Sequence, residues 1–539
     1  MSKQTKNYGD GLPEATGRGS RMRWVTLADF GGVVPFGRDD GSRKDVLSHG
    51  KNLSHRMAPA VASRKGRGIQ FKMIGSGHPN GMVCFNGYYI YARGTGIYAT
   101  LNGVSHVSLG TVSDTEKLFL QLGDRLYVYP DKLFMNREEM VFKPLEISTG
   151  VLQNCLFRNN TITLPKGESW SGLGFSVGDG VRVISADDDT PAPEGYYRIV
   201  SMLGQKATLA RPVVAEYESD ARFERIVPSL EHGCVSGGRI FGSVGDRIYV
   251  SAQGSGTDFY SPDAKSGLDP AILSIGVEGT VTACSPWQGY VIFFTEDRIL
   301  RLMGSRPDSF SLCDGGRVGI PAALSDTLCE VDGGLYFLSH GGVYRYRGQE
   351  ATRVAAVGET VFTDGQGGTD GVCYYLCVTA NGVKQTWVYA PKRDAWYPED
   401  DVAVGCFARH GGFACMQSGD GFVWITSSEG REPSVNGREE MNVGLIRSEL
   451  VTRPLCASFP EMSCPVEVVA QVSCNGVGSL EIYASYDGGE EIRIGQFNGN
   501  RAKSVIRMPL PVASAYGVSL RLVMTGEWVI SSVSCGFDA

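Results

Sequence analysis

Alternating aromatic and β-branched residues form a repeating pattern from about residue 80 to residue 426. Each repeat begins with a glycine-containing turn that leads into a run such as NGYYIYA at 86–92 or GDRIYVS at 245–251. Several repeats continue after a short polar turn into a second run, as in EDRILRLMG at 296–304. Because alternation with a period of two places successive side chains on opposite faces of a strand, the pattern predicts a series of β-hairpins.

The spacing of the turn glycines predicts a β-propeller. Seven glycines mark the repeats, namely Gly87, Gly123, Gly245, Gly289, Gly334, Gly371 and Gly412. Their separations are 36, 122, 44, 45, 37 and 41 residues, and all but one are close to the roughly 40–50 residues of a four-stranded blade. Since a hairpin unit cannot cover both of its faces alone, radial stacking into about seven blades is expected.

Two further β units are predicted outside this repeat. The long separation is explained if residues 149–228 form an inserted small β-barrel of SH3 or OB type, because they contain runs such as GFSVGDGVRV at 174–183 beside an acidic turn. Residues 436–539 contain long alternating runs, which predict a C-terminal β-sandwich. A short helix is expected only around residues 42–60.

The predicted fold is therefore all-β and is divided into five segments. These are a flexible N-terminal arm at 1–22, an N-terminal segment with the first propeller blades at 23–148, the inserted barrel at 149–228, the remaining blades at 229–435 and the sandwich at 436–539. The arm is polar and rich in glycine and charge, as flexible chain ends often are.

Composition and charge agree with a multi-domain β protein and disfavour a nucleic-acid-binding function. The chain has 539 residues, too many for one hydrophobic core, and its 71 glycines suit many tight turns. Its net charge is −7, whereas a protein that grips phosphates usually has a basic face. The two dense basic stretches, at 18–24 and 64–72, are expected to be solvated or to contact other proteins.

The sequence contains no apolar run that approaches the roughly 18–20 residues of a membrane span, and its first residues lack the apolar core of a signal peptide. A protein made and kept in the cytosol is expected. Its 14 cysteines are irregularly spaced and lie mostly inside strand-like runs, which predicts reduced, buried side chains. Cys373 and Cys377 are expected on a strand and not at a zinc site.

Signatures of the common enzyme classes are missing from the sequence. There is no P-loop, no His-Glu-x-x-His zinc motif and no dinucleotide-binding glycine motif. The histidines lie mostly beside glycine or serine; they are His49, His55, His78, His106, His232, His340 and His410. The acidic turn Asp187–Asp189 lacks the register of a calcium loop, so a solvated turn is favoured. No catalytic, cofactor-binding or metal-binding residue and no cofactor is predicted.

A glycan-binding or glycan-cleaving propeller is the alternative. A glycosidase needs two carboxylates, one to protonate the leaving oxygen and one to act as nucleophile or base. The candidates at predicted strand ends are Asp258, Glu296, Asp297 and Asp332. The candidates for stacking on sugars are Trp287, Trp396 and Trp424. Turn formation by the acids and core packing by the tryptophans are the favoured roles.

Several segments of the chain resemble proteins of bacteriophage tails. FGGVV at 30–34, followed by KNLSHRMAPAVASRKG at 51–66, is similar to the opening of such proteins. RIYVSAQGSGTDFYSPD at 247–263 and VIFFTEDRILRLMGSRPDSF at 291–310 resemble propeller segments of the same proteins, and MTGEWVISSVS at 524–534 is similar to their terminal sandwich. The chain thus resembles the nozzle or tail-hub proteins of short-tailed phages.

This resemblance implies a structural virion protein and not an enzyme. It implies a homo-oligomeric ring, expected to be a hexamer, that extends or closes the DNA channel of a tail or neck. The expected partners are portal, adaptor or other tail proteins, with DNA only as passing cargo, and assembly in the host cytoplasm. The arm at 1–22 and the stretch at 64–72 are expected to contact a neighbouring subunit or the adjacent ring.

Overall fold

The computed structural model of this chain describes residues 22–36, 43, 45–213, 216–262, 267–426, 446–457, 460–499 and 503–538. Apart from residue 22, the predicted arm at 1–22 lies outside the described residues. Within the described residues, no helix is long and apolar enough to cross a membrane.

The N-terminal segment forms short strands that belong to two different parts of the fold. They are β1 Arg23–Leu27, β2 His49–Lys51, β3 Leu53–Ser54, β4 Val61–Ser63 and β5 Gly68–Lys72. The prediction of a short helix around residues 42–60 is wrong, because the described residues of this range form short strands and turns. The backbone there bonds to distant partners and not to the next turn, since Leu47 donates to the carbonyl of Gly32 and Asn52 to that of Glu399.

Two four-stranded antiparallel blades follow. Blade one consists of β6 Pro79–Phe85, β7 Tyr88–Arg93, β8 Gly96–Thr100 and β9 His106–Thr111. Blade two consists of β10 Leu118–Leu122, β11 Arg125–Tyr129, β12 Leu133–Asn136 and β13 Phe142–Pro144.

The inserted barrel interrupts the propeller after blade two, as predicted. Its strands are β14 Ile147–Ser148, β15 Leu152–Arg158, β16 Thr161–Thr163, β17 Gly180–Ser185, β18 Gly195–Leu203, β19 Lys206–Leu209 and β20 Tyr217–Arg225. Six strands close in the order β20-β15-β16-β19-β18-β17, because β17 also pairs with β20. The barrel has its own apolar core, in which Trp170 packs edge-on against Phe175 and Phe223.

Blades three to five continue the propeller. Blade three consists of β21 His232–Ser236, β22 Arg239–Val244, β23 Arg247–Val250 and β24 Ala271–Ser274. Blade four consists of β25 Ala283–Trp287, β26 Tyr290–Phe294, β27 Ile299–Met303 and β28 Ser311–Gly316, with the 3-10 helix η1 Pro307–Ser309 before β28. Blade five consists of the 3-10 helix η2 Ala322–Thr327, then β29 Cys329–Val331, β30 Gly334–Ser339, β31 Gly342–Tyr346 and β32 Thr352–Ala356.

The last two blades complete the ring. Blade six consists of β33 Phe362–Thr369, β34 Tyr374–Ala380, β35 Val383–Ala390 and β36 Ala395–Pro398. Blade seven takes β37 Val404–His410, β38 Phe413–Ser418 and β39 Phe422–Thr426 from the end of the propeller and β5 from the N-terminal segment. The seven blades confirm the predicted propeller, and each of the seven turn glycines lies in a different blade.

The C-terminal unit belongs to one continuous nine-stranded sheet, which is folded into a sandwich about two long strands. Its strands are β40 Arg447–Val451, β41 Cys464–Tyr486, β42 Ile492–Gly499, β43 Ser504–Pro509 and β44 Val518–Asp538. β41 and β44 pair along their lengths, with an irregularity near residues 475–479 where both pass from one layer to the other. A Cβ at Gly495 would lie 2.9 Å from the Met508 sulfur, so β42 packs face to face on β43.

The sandwich also includes strands from the N-terminal segment. β1 and β4 pair with β44, and β2 pairs with β40. From the sandwich the segment passes directly to blade six, where the amide of Val33 donates to the carbonyl of Trp396 at 2.8 Å. One apolar core therefore runs without interruption from blades four to six into the sandwich.

The two arginines of the basic stretch at 64–72 are buried while Lys65 and Lys72 are exposed, so the predicted solvation is wrong for the arginines. Arg67 lies 2.6 Å from the carboxylate of Glu399 and 2.5 Å from that of Asp400, and Arg64 lies 3.4 Å from Asp400. Both arginines are less than a tenth exposed. Because these carboxylates neutralise the arginines, the stretch can enter the interior between the sandwich and blade six, after which β5 closes blade seven.

Candidate functional site

The axis of the propeller contains a cavity of about 920 Å³. The innermost strand of every blade contributes to its wall, with Met82, Leu118, Gly233, Cys284, Cys329, Gly367 and Phe407 as one residue from each. Such a concave site with a few convergent polar groups is the usual place to look for binding or chemistry. We refer to it as the axial channel.

Two carboxyl groups meet across the axial channel. Glu116 precedes the innermost strand of blade two, and Asp326 lies in η2 before the innermost strand of blade five. Their side chains are hydrogen-bonded to each other, and the Gln366 amide nitrogen donates to Asp326 at 3.2 Å. Because blades two and five lie on opposite sides of a seven-bladed ring, this contact spans the channel.

The position of Asp326 depends on glycines in the neighbouring strand. β33 has the sequence FTDGQGGT, and η2 packs directly on it. A Cβ at Gly367 would lie 2.3 Å from the carbonyl oxygen of Thr327, and one at Gly365 would lie 2.6 Å from its methyl group. The Thr327 hydroxyl also accepts from the amide of Leu338 at 3.0 Å. η2 is therefore held close to the channel wall, with Asp326 directed across it.

The two carboxyl groups share a proton near neutral pH. Desolvation by the channel walls, followed by the nearby charge of Asp326, raises the pKa of Glu116 to about 7. Desolvation also raises the pKa of Asp326, while hydrogen bonds from Glu116 and Gln366 oppose that rise. His232 stands close enough to favour ionisation of Asp326, although burial lowers the pKa of this histidine. Glu116 is therefore the member of the pair that keeps a proton up to about pH 7.

This geometry differs from that of a glycosidase. Retaining glycosidases hold their two carboxyl groups about 5–5.5 Å apart and inverting ones about 6.5–9.5 Å apart, so that the sugar or a water molecule fits between them. Glu116 and Asp326 are in direct hydrogen-bond contact. In this arrangement the two carboxyl groups bind each other, so neither a scissile glycosidic bond nor a water molecule fits between them.

The structure does not bring together the four carboxylates considered from the sequence. Asp258 is buried and accepts hydrogen bonds from the hydroxyl and amide of Ser261. Glu296 and Asp297 lie in the turn between the second and third strands of blade four, whereas Asp332 lies between the first and second strands of blade five. These two kinds of turn are at opposite ends of an antiparallel blade, so the groups face opposite sides of the propeller.

The tryptophans and the acidic turn have structural contacts. Trp287 and Trp396 are buried, and the Trp396 ring centre lies 4.8 Å from that of Tyr389. The Trp424 indole donates to Asp420 at 3.3 Å. Asp187 accepts from the amide and hydroxyl of Thr190, which closes the acidic turn on itself. Across the part of the chain that the structure describes, no group of three or more His, Cys, Asp or Glu side chains is arranged to hold a metal ion.

One histidine is paired with a cysteine in the interior. The His55 imidazole lies 3.3 Å from the Cys373 sulfur. Burial raises the pKa of the Cys373 thiol far above its usual range and lowers that of His55, so both groups stay neutral. The pair lacks the thiolate that nucleophilic catalysis requires.

Sequence reasoning missed Glu116 and Asp326 because the two are 210 residues apart. A weak signal exists, since an acidic residue stands one to three positions before the innermost strand of five blades; these are Glu116, Glu231, Asp326, Glu359 and Asp401, in blades two, three, five, six and seven. Chain segments that enter an innermost strand lie at the mouth of the axial channel. Once the blades are assigned, this position therefore marks residues that can meet there.

Comparisons with known proteins give a fold-level likeness only. No known protein family matches this sequence, and no curated protein sequence is similar to it. Among solved structures, exo-beta-1,3-galactanase from Phanerochaete chrysosporium is 9% identical, with 56% of this chain and 96% of that chain covered and a TM-score of 0.21. PorZ of Porphyromonas gingivalis, a bacterial surface component of the type-IX secretion system, is 10% identical (79% and 65% covered, TM-score 0.27).

A third solved structure, the N-terminal domain of Nup159, is 9% identical over 74% of this chain and 99% of that chain, with a TM-score of 0.25. Likenesses at this level carry no information on activity. The propeller is therefore defined by its own strand pairing, and the function has to be argued from the chain itself.

Proposed function

We propose that this protein is a structural subunit of a bacteriophage tail or neck, in which copies of the chain form a closed ring around the path of the DNA. The observation that carries the proposal is the continuity of the core between the propeller and the sandwich. A ring subunit has to keep its shape while it contacts neighbours on several sides, and a shared core makes the two units one rigid body. The resemblance of the sequence to nozzle and tail-hub proteins supports the same function.

The barrel is fixed to this body in a similar way. The Arg225 guanidinium lies 2.6 Å from the Asp179 carboxylate, and both side chains are almost fully buried. Arg225 also donates to the carbonyls of Pro144 and Leu145, at the end of blade two. Asp179 accepts from the hydroxyl of Thr257 in blade three at 2.7 Å. This network holds the barrel between two blades, as a rigid subunit requires.

Both outer modules present large apolar side chains to solvent. Leu203 on the barrel is 84% exposed, and Val477 and Val512 on the sandwich are 90% and 92% exposed. Exposed apolar groups of this kind favour contact with another protein surface. In a closed ring each subunit uses one surface toward the preceding copy and a different one toward the next, which suits apolar positions on two separate modules.

The path of the DNA in this proposal is the lumen of the ring and not the axis of the propeller. The contact between Glu116 and Asp326 spans the axial channel, and the cavity of about 920 Å³ around it is the size of a small-molecule site. The negative net charge of −7 suits a lumen along which DNA slides without adhering.

The test is the mass and shape of the purified full-length chain, measured by mass photometry and negative-stain electron microscopy. We expect ring-shaped particles with the mass of six chains. Leu203→Glu, Val477→Glu and Val512→Glu are each compared with Ser201→Glu, an exposed polar position on the barrel. At least one apolar position is expected to lower the ring fraction at least tenfold while the control does not. A chain that stays monomeric with isolated phage adaptor and portal proteins added, or that hydrolyses polysaccharide, would contradict the proposal.

A further inference from the structure

Two cysteines from neighbouring blades are in contact beside the axial channel. Cys234 lies on β21, the innermost strand of blade three, and Cys284 lies on β25, the innermost strand of blade four. The Cys284 thiol is close enough to that of Cys234 to perturb its ionisation, and both residues pack into the apolar cluster between these blades. Both are free cysteines. Because they come from adjacent innermost strands, a bond between them would join two blades.

The two thiols differ in their access to solvent. Cys284 is partly exposed and contributes to the wall of the axial channel. Cys234 is only 7% exposed and lies behind it. The contact with Cys284, together with burial, raises the pKa of the Cys234 thiol well above its ordinary value. A reagent in the channel therefore meets Cys284 first.

We propose that Cys234 and Cys284 are a site of oxidative modification, at which a low-molecular-weight disulfide entering the axial channel drives formation of a disulfide bond between blades three and four. This inference goes beyond the proposed function and does not depend on ring assembly. Its consequence is a propeller that is held by noncovalent contacts alone under reducing conditions and that gains a covalent link under oxidising ones.

The chemistry proceeds in two exchange steps. The Cys284 thiolate attacks one sulfur of glutathione disulfide, forms a mixed disulfide and releases one glutathione thiolate. Cys234 then loses its proton to that thiolate or to solvent and attacks the Cys284 sulfur, which releases the second glutathione. The two cysteines lose two electrons in total, and glutathione disulfide gains them to become two glutathione molecules.

The chain offers a matched control pair. Cys84 on blade one and Cys415 on blade seven are also close enough to influence each other's charge, but the Cys415 thiol is hydrogen-bonded to Tyr89. Burial raises the pKa of both thiols. The control pair thus shares burial and proximity with Cys234 and Cys284 and differs in the thiol–thiol contact.

The experiment treats the reduced full-length chain with glutathione disulfide, blocks remaining thiols with N-ethylmaleimide and digests the chain with trypsin without reduction. Cleavage after arginine and lysine places Cys234 alone in peptide 226–239 and Cys284 alone in peptide 266–298. Mass spectrometry is expected to find these two peptides joined. Peptides 73–93 and 410–431, which carry Cys84 and Cys415, are expected to be alkylated separately.

Two variants separate the two steps. Cys234→Ser is expected to keep one glutathione on Cys284, because the second thiol is missing, and Cys284→Ser is expected to acquire none at Cys234. The oxidised wild-type chain is expected to melt a few degrees higher than the reduced one, and Cys284→Ser to show no such shift. The proposal would be overturned if Cys234 and Cys284 of the wild type are recovered alkylated with N-ethylmaleimide, or if glutathione stays on Cys284 of the wild type without a link to Cys234. The readout uses isolated chains, so it is independent of ring formation.

Discussion

The burial and ionisation of individual charged residues in this protein depend on partners that are distant in the sequence. Glu116 and Asp326 come from opposite blades, and Arg67 finds its carboxylates more than 300 residues away. Runs of charge in a sequence are usually solvated, which is why residues 64–72 were expected at the surface. Burial of these groups is possible only because each meets an opposite charge or a shared proton, and such pairings leave no local pattern.

The shared proton predicts a pH dependence of stability. The folded-state pKa of Glu116, about 7, is above the ordinary value of 4.5. A raised folded pKa stabilises the folded chain below the ordinary pKa, and this contribution is lost as the pH rises from about 4.5 through 7. In Glu116→Gln the side-chain amide is neutral at every pH and can still donate a hydrogen bond to Asp326. We expect the melting temperature of the wild type minus that of Glu116→Gln to fall across this range.

The control for this measurement is Glu330→Gln, which removes one negative charge from the same channel wall. The difference in melting temperature between Glu330→Gln and the wild type should show no comparable fall. A flat difference for Glu116→Gln would show that the two carboxyl groups do not share a proton.

The buried ion pairs predict a large cost when one partner is removed. Arg67→Met leaves the carboxylates of Glu399 and Asp400 without their closest cation in the interior. We expect the free energy of unfolding, measured by urea denaturation, to fall by about 3–5 kcal/mol. Lys65→Met, at an exposed neighbouring position, should change it by less than about 0.5 kcal/mol. Equal effects of the two substitutions would disprove the role given to Arg67.

At the scale of elements, the blades could be predicted from the sequence, but the strand that closes the propeller ring could not. The turn glycines, from Gly87 to Gly412, repeat at blade length because each blade needs the same tight turns, so local sequence carries this information. β5 looks like any basic strand, and its partner β39 lies some 350 residues later. The short strands β1 to β4 lacked a visible alternating pattern for the same reason, since distant neighbours determine their conformation.

The packing of η2 on β33 predicts a strict requirement for glycine. Gly367→Ala would place a methyl group 2.3 Å from the Thr327 carbonyl oxygen, so η2 has to move. We expect a loss of roughly 1–3 kcal/mol in the free energy of unfolding. The displacement also moves Asp326 away from Glu116, so the pH dependence described for the wild type should weaken in the same variant.

The matched control is Gly412→Ala in blade seven, where an added methyl group meets nothing within 4 Å. Its free energy of unfolding is expected to stay within about 0.5 kcal/mol of the wild type. If both alanine variants behave alike, the glycines of β33 are not what positions η2.

For the whole molecule, the barrel is predicted to be separable from the propeller. Its ends are adjacent, because Ile147 pairs with Arg225, and its core is its own. Replacing residues 147–225 by a short glycine-serine linker should leave a folded propeller and sandwich. We expect a soluble chain that elutes without aggregate in gel filtration and shows a single cooperative melt by circular dichroism.

The deletion should destabilise the chain locally, at the part of blade three that the barrel contacts. Thr257 loses its acceptor Asp179, and Tyr260 loses the stacked ring of Tyr196. We therefore expect a melting temperature a few degrees lower than that of the full chain and faster proteolysis within the loop after β23. A chain that aggregates without the barrel would show that the barrel is required for the propeller to fold.

The pairing of the earliest strands with the latest ones has a consequence for protein synthesis. β39 leaves the ribosome some 350 residues after β5, so the ring cannot close before residue 426 is translated, and the sandwich has to wait for β44, which ends at residue 538. A product truncated before β39 can complete neither unit, and one truncated between β39 and β44 leaves the sandwich incomplete, with unpaired strand edges exposed. The topology thus acts as a check on chain length, because incomplete copies expose strand edges that cellular proteases can attack.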